Sequence, residues 1–278
     1  MSQQESRMSA PACVSEFVRY DVDAGVARIT LDRPDRRNAI DVPMRAGPAG
    51  RGPGRHGRPG GAAPSVPGRG GRPFLQRRRR LDHARRVHER RAGTRPDGAD
   101  RRLRAALLEM PKPVIAAVDG IAFGGGFGLC LCADLVLATP AARFCLSFMR
   151  IGLVPDFAAA FTLPRLVGLQ RARQLIYTAA EIDGRQALEY GLVSELVDAG
   201  RLAPRAAEVA TAMAGMPATA FALTKQALLR SSSSELAAMV EMEMTSQGVA
   251  FNTGYHQQAV ERLLEKKPPL YSFPAPTA

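Results

Sequence analysis

The sequence predicts an α/β domain built in layers and followed by a helical C-terminal region. Three observations predict it. Val114, Ile115, Ala116, Ala117 and Val118 form an apolar run without alternation, the pattern of a short strand covered on both faces. Gly124, Gly125 and Gly126 follow, and the apolar run from Phe127 to Ala133 then suits a buried helix, so a strand passes through a glycine turn straight into a helix. Beyond residue 200, apolar residues recur at helical spacing in Met213 to Leu229, Glu235 to Phe251 and Gly254 to Leu264.

At 278 residues the chain has room for one large α/β domain or two small ones. We read a loose N-terminus over 1–15, a core over 16–200 and a helical region over 201–278. No 18-residue apolar span and no basic-then-apolar leader occur, so a soluble, untargeted, cytoplasmic protein is expected. Cys13, Cys130, Cys132 and Cys145 form no CxxC pair, which suits a reducing compartment. The formal charge is +12, but its placement argues against a general nucleic-acid or membrane binder. Residues 45–104 hold 18 Arg and no Lys against four acidic residues, while the rest of the chain holds 20 basic and 22 acidic residues.

Taken in order, Val18, Tyr20 and Val22 alternate with polar residues, Asp23-Ala24-Gly25 supplies a turn, and Ala27, Ile29 and Leu31 alternate again, which predicts a hairpin. From about Arg45 the chain changes to Gly, Pro and Arg with almost no large apolar residue, a composition expected to stay disordered on its own. Leu103, Leu107, Leu108 and Met110 restore helical spacing, and Pro111 and Pro113 end that helix before the central strand. The glycine turn then places main-chain amides at a helix start, where they can stabilise a developing oxyanion, or it is simply a tight turn that binds nothing. Asp156, followed by Phe157-Ala158-Ala159-Ala160, reads two ways. It is an acid in an apolar pocket of Leu153, Val154, Phe157 and Phe161, which would raise its pKa toward a range useful for moving protons, or it is a helix N-cap. Met239, Met242 and Met244 read as core filler. The histidines, His256 among them, have no nucleophile or metal partner in sequence and receive no chemistry.

Asp119-Gly-Ile-Ala-Phe-Gly-Gly-Gly-Phe-Gly-Leu, then Cys132-Ala-Asp-Leu-Val-Leu-Ala, resembles the second oxyanion loop of the crotonase superfamily, the enoyl-CoA hydratases and isomerases. Leu31-Asp-Arg-Pro-Asp-Arg-Arg-Asn-Ala-Ile resembles its N-terminal signature, and the resemblance covers Val18 to Ile40 and Leu103 to Phe273. It implies a crotonase-like spiral of ββα units with a C-terminal helical trimerisation region, an acyl-CoA thioester as partner, a homotrimer or dimer of trimers, and no metal or redox cofactor beyond the coenzyme A of the substrate. By position it gives Arg36, Arg37 and Ala39 the adenine end of coenzyme A, Gly125 the oxyanion-donor role, and Ala122, Phe123, Gly124 and Phe148 the substrate pocket. It also implies helices at Leu163–Gly168 and Ala172–Tyr177 with a helix and turn from Ile182 to Val193, and it makes Lys225, Lys266 and Lys267 candidates for the coenzyme A phosphates. The two carboxylates with which a hydratase handles its water have no counterpart here, because Gly128 and Phe148 stand at their positions. Asp156 is the remaining acid.

Phe74-Leu-Gln-Arg-Arg-Arg-Arg falls where the first oxyanion loop is expected, with Gln76 and Arg77 at positions that suit small residues. A coding frame shifted between about residues 45 and 103 would explain it. CTG CAG CGG CGC CGA CGT encodes Leu-Gln-Arg-Arg-Arg-Arg, and its second frame encodes Cys-Ser-Gly-Ala-Asp, which restores the motif. The alternative is a real Arg-rich insertion that binds RNA or another anionic surface, for which one aromatic, Phe74, offers little base stacking. The sequence therefore points to an isomerase-like acyl-CoA enzyme that stabilises an enolate, with Gly125 and Asp156 as its catalytic groups. Loss of an oxyanion donor typically costs ~100 to 1,000-fold in rate, so slow turnover is expected. The alternative is a catalytically silent acyl-CoA binder or trimer scaffold.

Overall fold

The structure, a computed structural model, describes residues 12–15, 18–23, 25–31, 38, 64–67 and 98–276. Arg36, Arg37, Ala39, Gln76 and Arg77 lie outside the described residues. Strands β1 (Ala12–Ser15), β2 (Val18–Asp23), β3 (Val26–Leu31), β4 (Pro64–Pro67), β5 (Ile115–Val118), β7 (Leu135–Ala138) and β10 (Glu195–Leu196) form one sheet in the order β1-β2-β3-β4-β5-β7-β10. The first three strands are antiparallel neighbours and the remaining pairs are parallel. A smaller sheet holds β6 (Ile121–Phe123), β8 (Arg143–Cys145) and β9 (Ile182–Asp183). The predicted hairpin is β2 and β3, with Tyr20 opposite Ile29.

The spiral arises because successive pairs of strands split between the sheets. β5 joins the large sheet, β6 the small one, and α2 (Gly125–Cys130) follows; β7 and β8 repeat the division before α3 (Ala159–Tyr177). The expected two-sided burial of the central strand is explained by this layering. Ala116 and Val118 pack inward with Ala122, Phe127, Phe144 and Leu163, whereas Ile115 and Ala117 pack with Leu202, Val209 and Met213 of α5 (Ala199–Ala214). Burial of Leu202, Val209 and Met213 contributes about 1.5–3 kcal/mol each. α4 (Gly184–Glu189) begins with a capping box in which Asp183 and Gln186 satisfy each other's main-chain amides.

Several expectations are corrected. Ala12–Ser15 pairs with β2, so the first 15 residues are not all loose terminus. The Arg/Gly/Pro-rich stretch contributes β4, because a parallel slot between β3 and β5 is filled by main-chain bonds that ask little of side chains. The helix before the central strand, α1 (Gly98–Glu109), starts earlier than Leu103. The expected boundary at residue 200 falls inside α5, which packs on the large sheet and belongs with the core. Met213 to Leu229 is two elements, since Pro217 removes a main-chain donor and begins α6 (Ala218–Ser231) separately. Gly168, at φ 75° and ψ 159°, breaks α3 into the two helical pieces that the resemblance implied.

Lys225 is not a phosphate ligand. It is 9 % exposed, and its Nζ donates to Asp134 Oδ2 at 2.7 Å, to the Leu107 carbonyl at 3.1 Å and to the Lys112 carbonyl at 3.3 Å. Asp134 Oδ2 also accepts from the Val114 amide at 2.7 Å, so one ion pair ties α6 to the end of α1 and the start of the central strand. Burial pushes the Asp134 carboxyl above its ordinary range, against the opposing pull of Lys225 and the Val114 amide.

The last helices, α7 (Leu236–Phe251) and α8 (Gly254–Leu264), bury no residue within the chain, so their methionines are not core filler here; Met244 is 71 % exposed. The following tail returns to the core. Arg205, 3 % exposed, donates to Glu195 Oε1 and Oε2 at 2.9 and 3.2 Å and to the carbonyls of Ala275 and Pro274 at 2.6 and 3.4 Å. Among the described residues no single helix is long and apolar enough to cross a membrane.

Replacing Lys225 by Ala leaves Asp134 and two carbonyls without their cation, and the expected cost is about 3 kcal/mol in urea unfolding. A loss below about 0.5 kcal/mol would show that the pair contributes little.

Candidate functional site

The site is built where β6 runs into α2 and where the segment after β8 returns beside it. Gly124 caps α2 at φ 54° and ψ −121°, a conformation that L side chains rarely adopt. Its amide donates to the Cys145 carbonyl at 2.8 Å, so this glycine spends its main-chain donor on joining the two segments. The Gly125 and Gly126 amides donate to no acceptor among the described residues, and both glycines are half-buried. Of the three amides expected to face a ligand, two remain for that purpose.

Asp156 comes to Gly125. A Cβ on Gly125 would lie 3.7 Å from Asp156 Oδ1, and that oxygen is buried within a half-buried residue. The N-cap alternative fails, because α3 starts at Ala159 with Ala158 as its cap and no side-chain capping bond. The apolar surround is only partly as expected. Phe157 is 1 % exposed, but Leu153 and Val154 point outward at 40 % and 78 % exposure, and the Phe161 ring carries the Arg165 guanidinium 3.5 Å from its centroid.

Other expected pocket residues divide by position. Phe148, buried in the 3-10 turn Ser147–Ile151, brings its Cζ within 3.8 Å of where a Gly124 Cβ would be, with Ser147 Oγ at 3.6 Å. Ala122 is buried in the core and pairs with Phe144, while Phe123 is half-buried opposite Cys145. Lys266 and Lys267 follow α8 on the surface, where Lys267 pairs with Glu265 at 2.7 Å; no described contact brings them to the glycine turn. A cavity of about 240 Å³ lined by Glu109, Gln226, Leu229 and Arg230 lies between α1 and α6, away from the glycine turn.

The residue sequence reading underrated is Phe157, which it took only as one wall of a pocket. A Cβ on Gly128 would lie 2.7 Å from Phe157 Cβ and 3.3 Å from the Asp156 carbonyl oxygen. No side chain fits at Gly128 while Phe157 keeps that place. The signal was available as a pair, a side-chain-free position on the helix and a large aromatic directly after the acid.

Three buried cysteines support this region without chemistry of their own. Cys132 Sγ donates to the Phe157 carbonyl at 3.4 Å and Cys145 Sγ to the Ala179 carbonyl at 3.2 Å. Burial pushes the Cys130 thiol up to about 12 and the Cys132 thiol to about 11.

The spiral of strand pairs, with a glycine-opened helix and the Asp156 carboxylate beside it, is a crotonase-type α/β fold, and the comparisons give the family. Residues 81–273 match the Enoyl-CoA hydratase/isomerase family, and the chain belongs to it. The match starts upstream of Leu103, where resemblance was expected to resume. A Rhodobacter capsulatus relative named "Probable enoyl-CoA hydratase" is 33 % identical over 92 % of this chain and 97 % of its own length. The 1,2-epoxyphenylacetyl-CoA isomerase of Escherichia coli is 33 % identical over 60 % of this chain and 63 % of its own. The crystal structure of an enoyl-CoA hydratase/isomerase from Cupriavidus metallidurans superimposes with a TM-score of 0.77 at 33 % identity, covering 94 % of this chain and 98 % of that one.

Gly124→Ala forces a side chain onto a left-handed backbone, and we expect a loss of about 1–3 kcal/mol by thermal or urea unfolding. At pH 8 the Cys130 and Cys132 thiols are almost wholly protonated. Iodoacetamide should label them on the order of 100-fold more slowly in the folded protein than in urea, as read by peptide mapping; equal rates in both states would contradict their burial.

Proposed function

We propose that the chain binds an acyl-CoA thioester and moves a proton along its acyl chain, as a double-bond isomerase does, without adding water. The observation that carries this reading is the placement of Asp156 Oδ1 beside Gly125. With the thioester oxygen on the Gly125 amide, removal of a proton from the acyl chain sends its electron pair to that oxygen, and the amide stabilises the enolate. Asp156 takes the proton and returns it to another carbon of the same chain, so nothing is added or lost. The Gly128 and Phe148 positions support this over hydration, since neither offers a carboxylate to handle water.

A second reading, an acyl-CoA binder without turnover, is favoured by Gln76 and Arg77 at the first oxyanion loop, whose positions are outside the described residues. In either reading Arg36, Arg37, Ala39, Lys266 and Lys267 remain proposed contacts of coenzyme A, which enters as part of the substrate. We also propose self-association, to a trimer or a dimer of trimers, through α7 and α8. Leu236, Leu263 and Leu264 are each at least 75 % exposed there, an apolar surface that a second copy would cover. A cytoplasmic location is consistent with the buried thiols.

Purified protein given 3-enoyl-CoA and 2-enoyl-CoA separates the readings. We expect slow double-bond migration, lowered a further hundredfold to ten-thousandfold by Asp156→Asn with little change in KM. Rapid hydration of the 2-enoyl thioester would overturn the assignment of the acid, and tight binding without turnover would establish the silent protein.

A further inference from the structure

Phe157 packs against the glycine face of α2, directly after the acid. Its Cε2 and Cδ2 would be 3.0 and 3.3 Å from a Cβ on Gly125, and its Cβ 2.7 Å from one on Gly128. Phe157 is 1 % exposed, and it and Ala158 adopt φ 50° and 56°, two consecutive side-chain-bearing residues in the left-handed region. The turn is held by Cys132 Sγ on the Phe157 carbonyl at 3.4 Å and by the Ala159 amide on the Asp156 carbonyl at 3.0 Å. Such a conformation persists where its surroundings over-determine it, and here those surroundings are the glycine face of α2.

From this packing we infer that Phe157 is a positioning and specificity-determining residue: its side chain sets the Asp156 carboxylate against Gly125 and fills the space beside Gly128, so that the site moves protons and admits no water for addition. The inference rests on the proton-transfer reading above and names the residue that decides its outcome. In migration, a C–H bond of the acyl chain breaks, its proton passes to Asp156, and the same proton forms a new C–H bond elsewhere as the double bond shifts. Hydration breaks an O–H bond of water and forms C–O and C–H bonds, so it needs room for a water beside the double bond and a base for the water's proton. An aromatic side chain packed onto two glycines removes that room; in a variant without it Asp156 is the base, taking the water's proton as the C–O bond forms and returning it to the carbon beside the thioester.

The test uses the full chain with Phe157→Ala, Phe157→Leu, Gly128→Ala and the Gly128→Ala/Phe157→Ala double variant. Overpacking by Gly128→Ala should lower Tm by roughly 4–10 °C, and the double variant should melt no lower than Phe157→Ala alone. Additive losses would overturn the packing. With 3-enoyl-CoA, Phe157→Ala should lose about tenfold to a hundredfold in kcat for migration with KM nearly unchanged, and it should release some 3-hydroxyacyl-CoA, a product the parent protein does not form. A smaller loss in the same direction is expected of Phe157→Leu, which keeps most of the apolar volume and serves if the alanine variant does not fold. A residue with a merely structural role lowers the folded fraction but creates no new product. Full migration with no hydroxyacyl product in both Phe157 variants would therefore overturn the inference. If the parent protein binds no acyl-CoA, the function reading fails, and the role in specificity fails with it. The Gly128–Phe157 coupling is read without substrate and stands or falls separately.

Discussion

The closeness of α2 to the turn at Asp156 and Phe157 is the constraint on which the site depends. At 2.7 Å between a would-be Gly128 Cβ and Phe157 Cβ, the helix must present side-chain-free positions or the turn must move away. That contact leaves no volume for a side chain at Gly128 while Phe157 keeps its place. Glycine at 128 and phenylalanine at 157 are therefore one feature of the chain, seen from its two sides. The Gly124 amide bonded to the Cys145 carbonyl fixes the other edge of the same corner.

Two charged groups connect this corner to the rest of the molecule. Lys225 crosses from α6 to Asp134, in the segment that carries the glycine turn, and satisfies carbonyls at the end of α1. Arg205 joins the core pair with Glu195 to the C-terminal tail beyond α8. A lysine that looks suited to a phosphate and an arginine on an amphipathic helix both spend their donors inside the fold, where leaving a partner unpaired is costly. Lys266 and Lys267, by contrast, stay on the surface.

The chain belongs to the Enoyl-CoA hydratase/isomerase family and places Asp156 beside its glycine turn, with no carboxylate at residues 128 and 148. The exposed apolar side chains of α7 and α8, with no buried residue on either helix, give the C-terminal arm a surface unlike that of a solvated helix.

The local chain was legible wherever a period or a punctuating residue is intrinsic to the sequence. The β2–β3 alternation, the doubly buried central strand and the glycine turn follow from backbone preferences and apolar spacing over a few residues. The pairing of Gly125 with Asp156 was legible as two motifs but not as a distance. The rest depended on which distant surfaces meet. β4 takes its place because an open parallel slot exists between β3 and β5, Lys225 becomes a core cation because Asp134 waits across 91 residues of chain, and Phe157 matters because Gly128 leaves it room. The sequence by itself determined the β2–β3 hairpin, the central strand, the glycine turn and the family resemblance, since these reside in local composition. Only the tertiary structure decided which donors were already occupied and how much space remained beside the acid, because both are set by contacts between segments far apart in the chain.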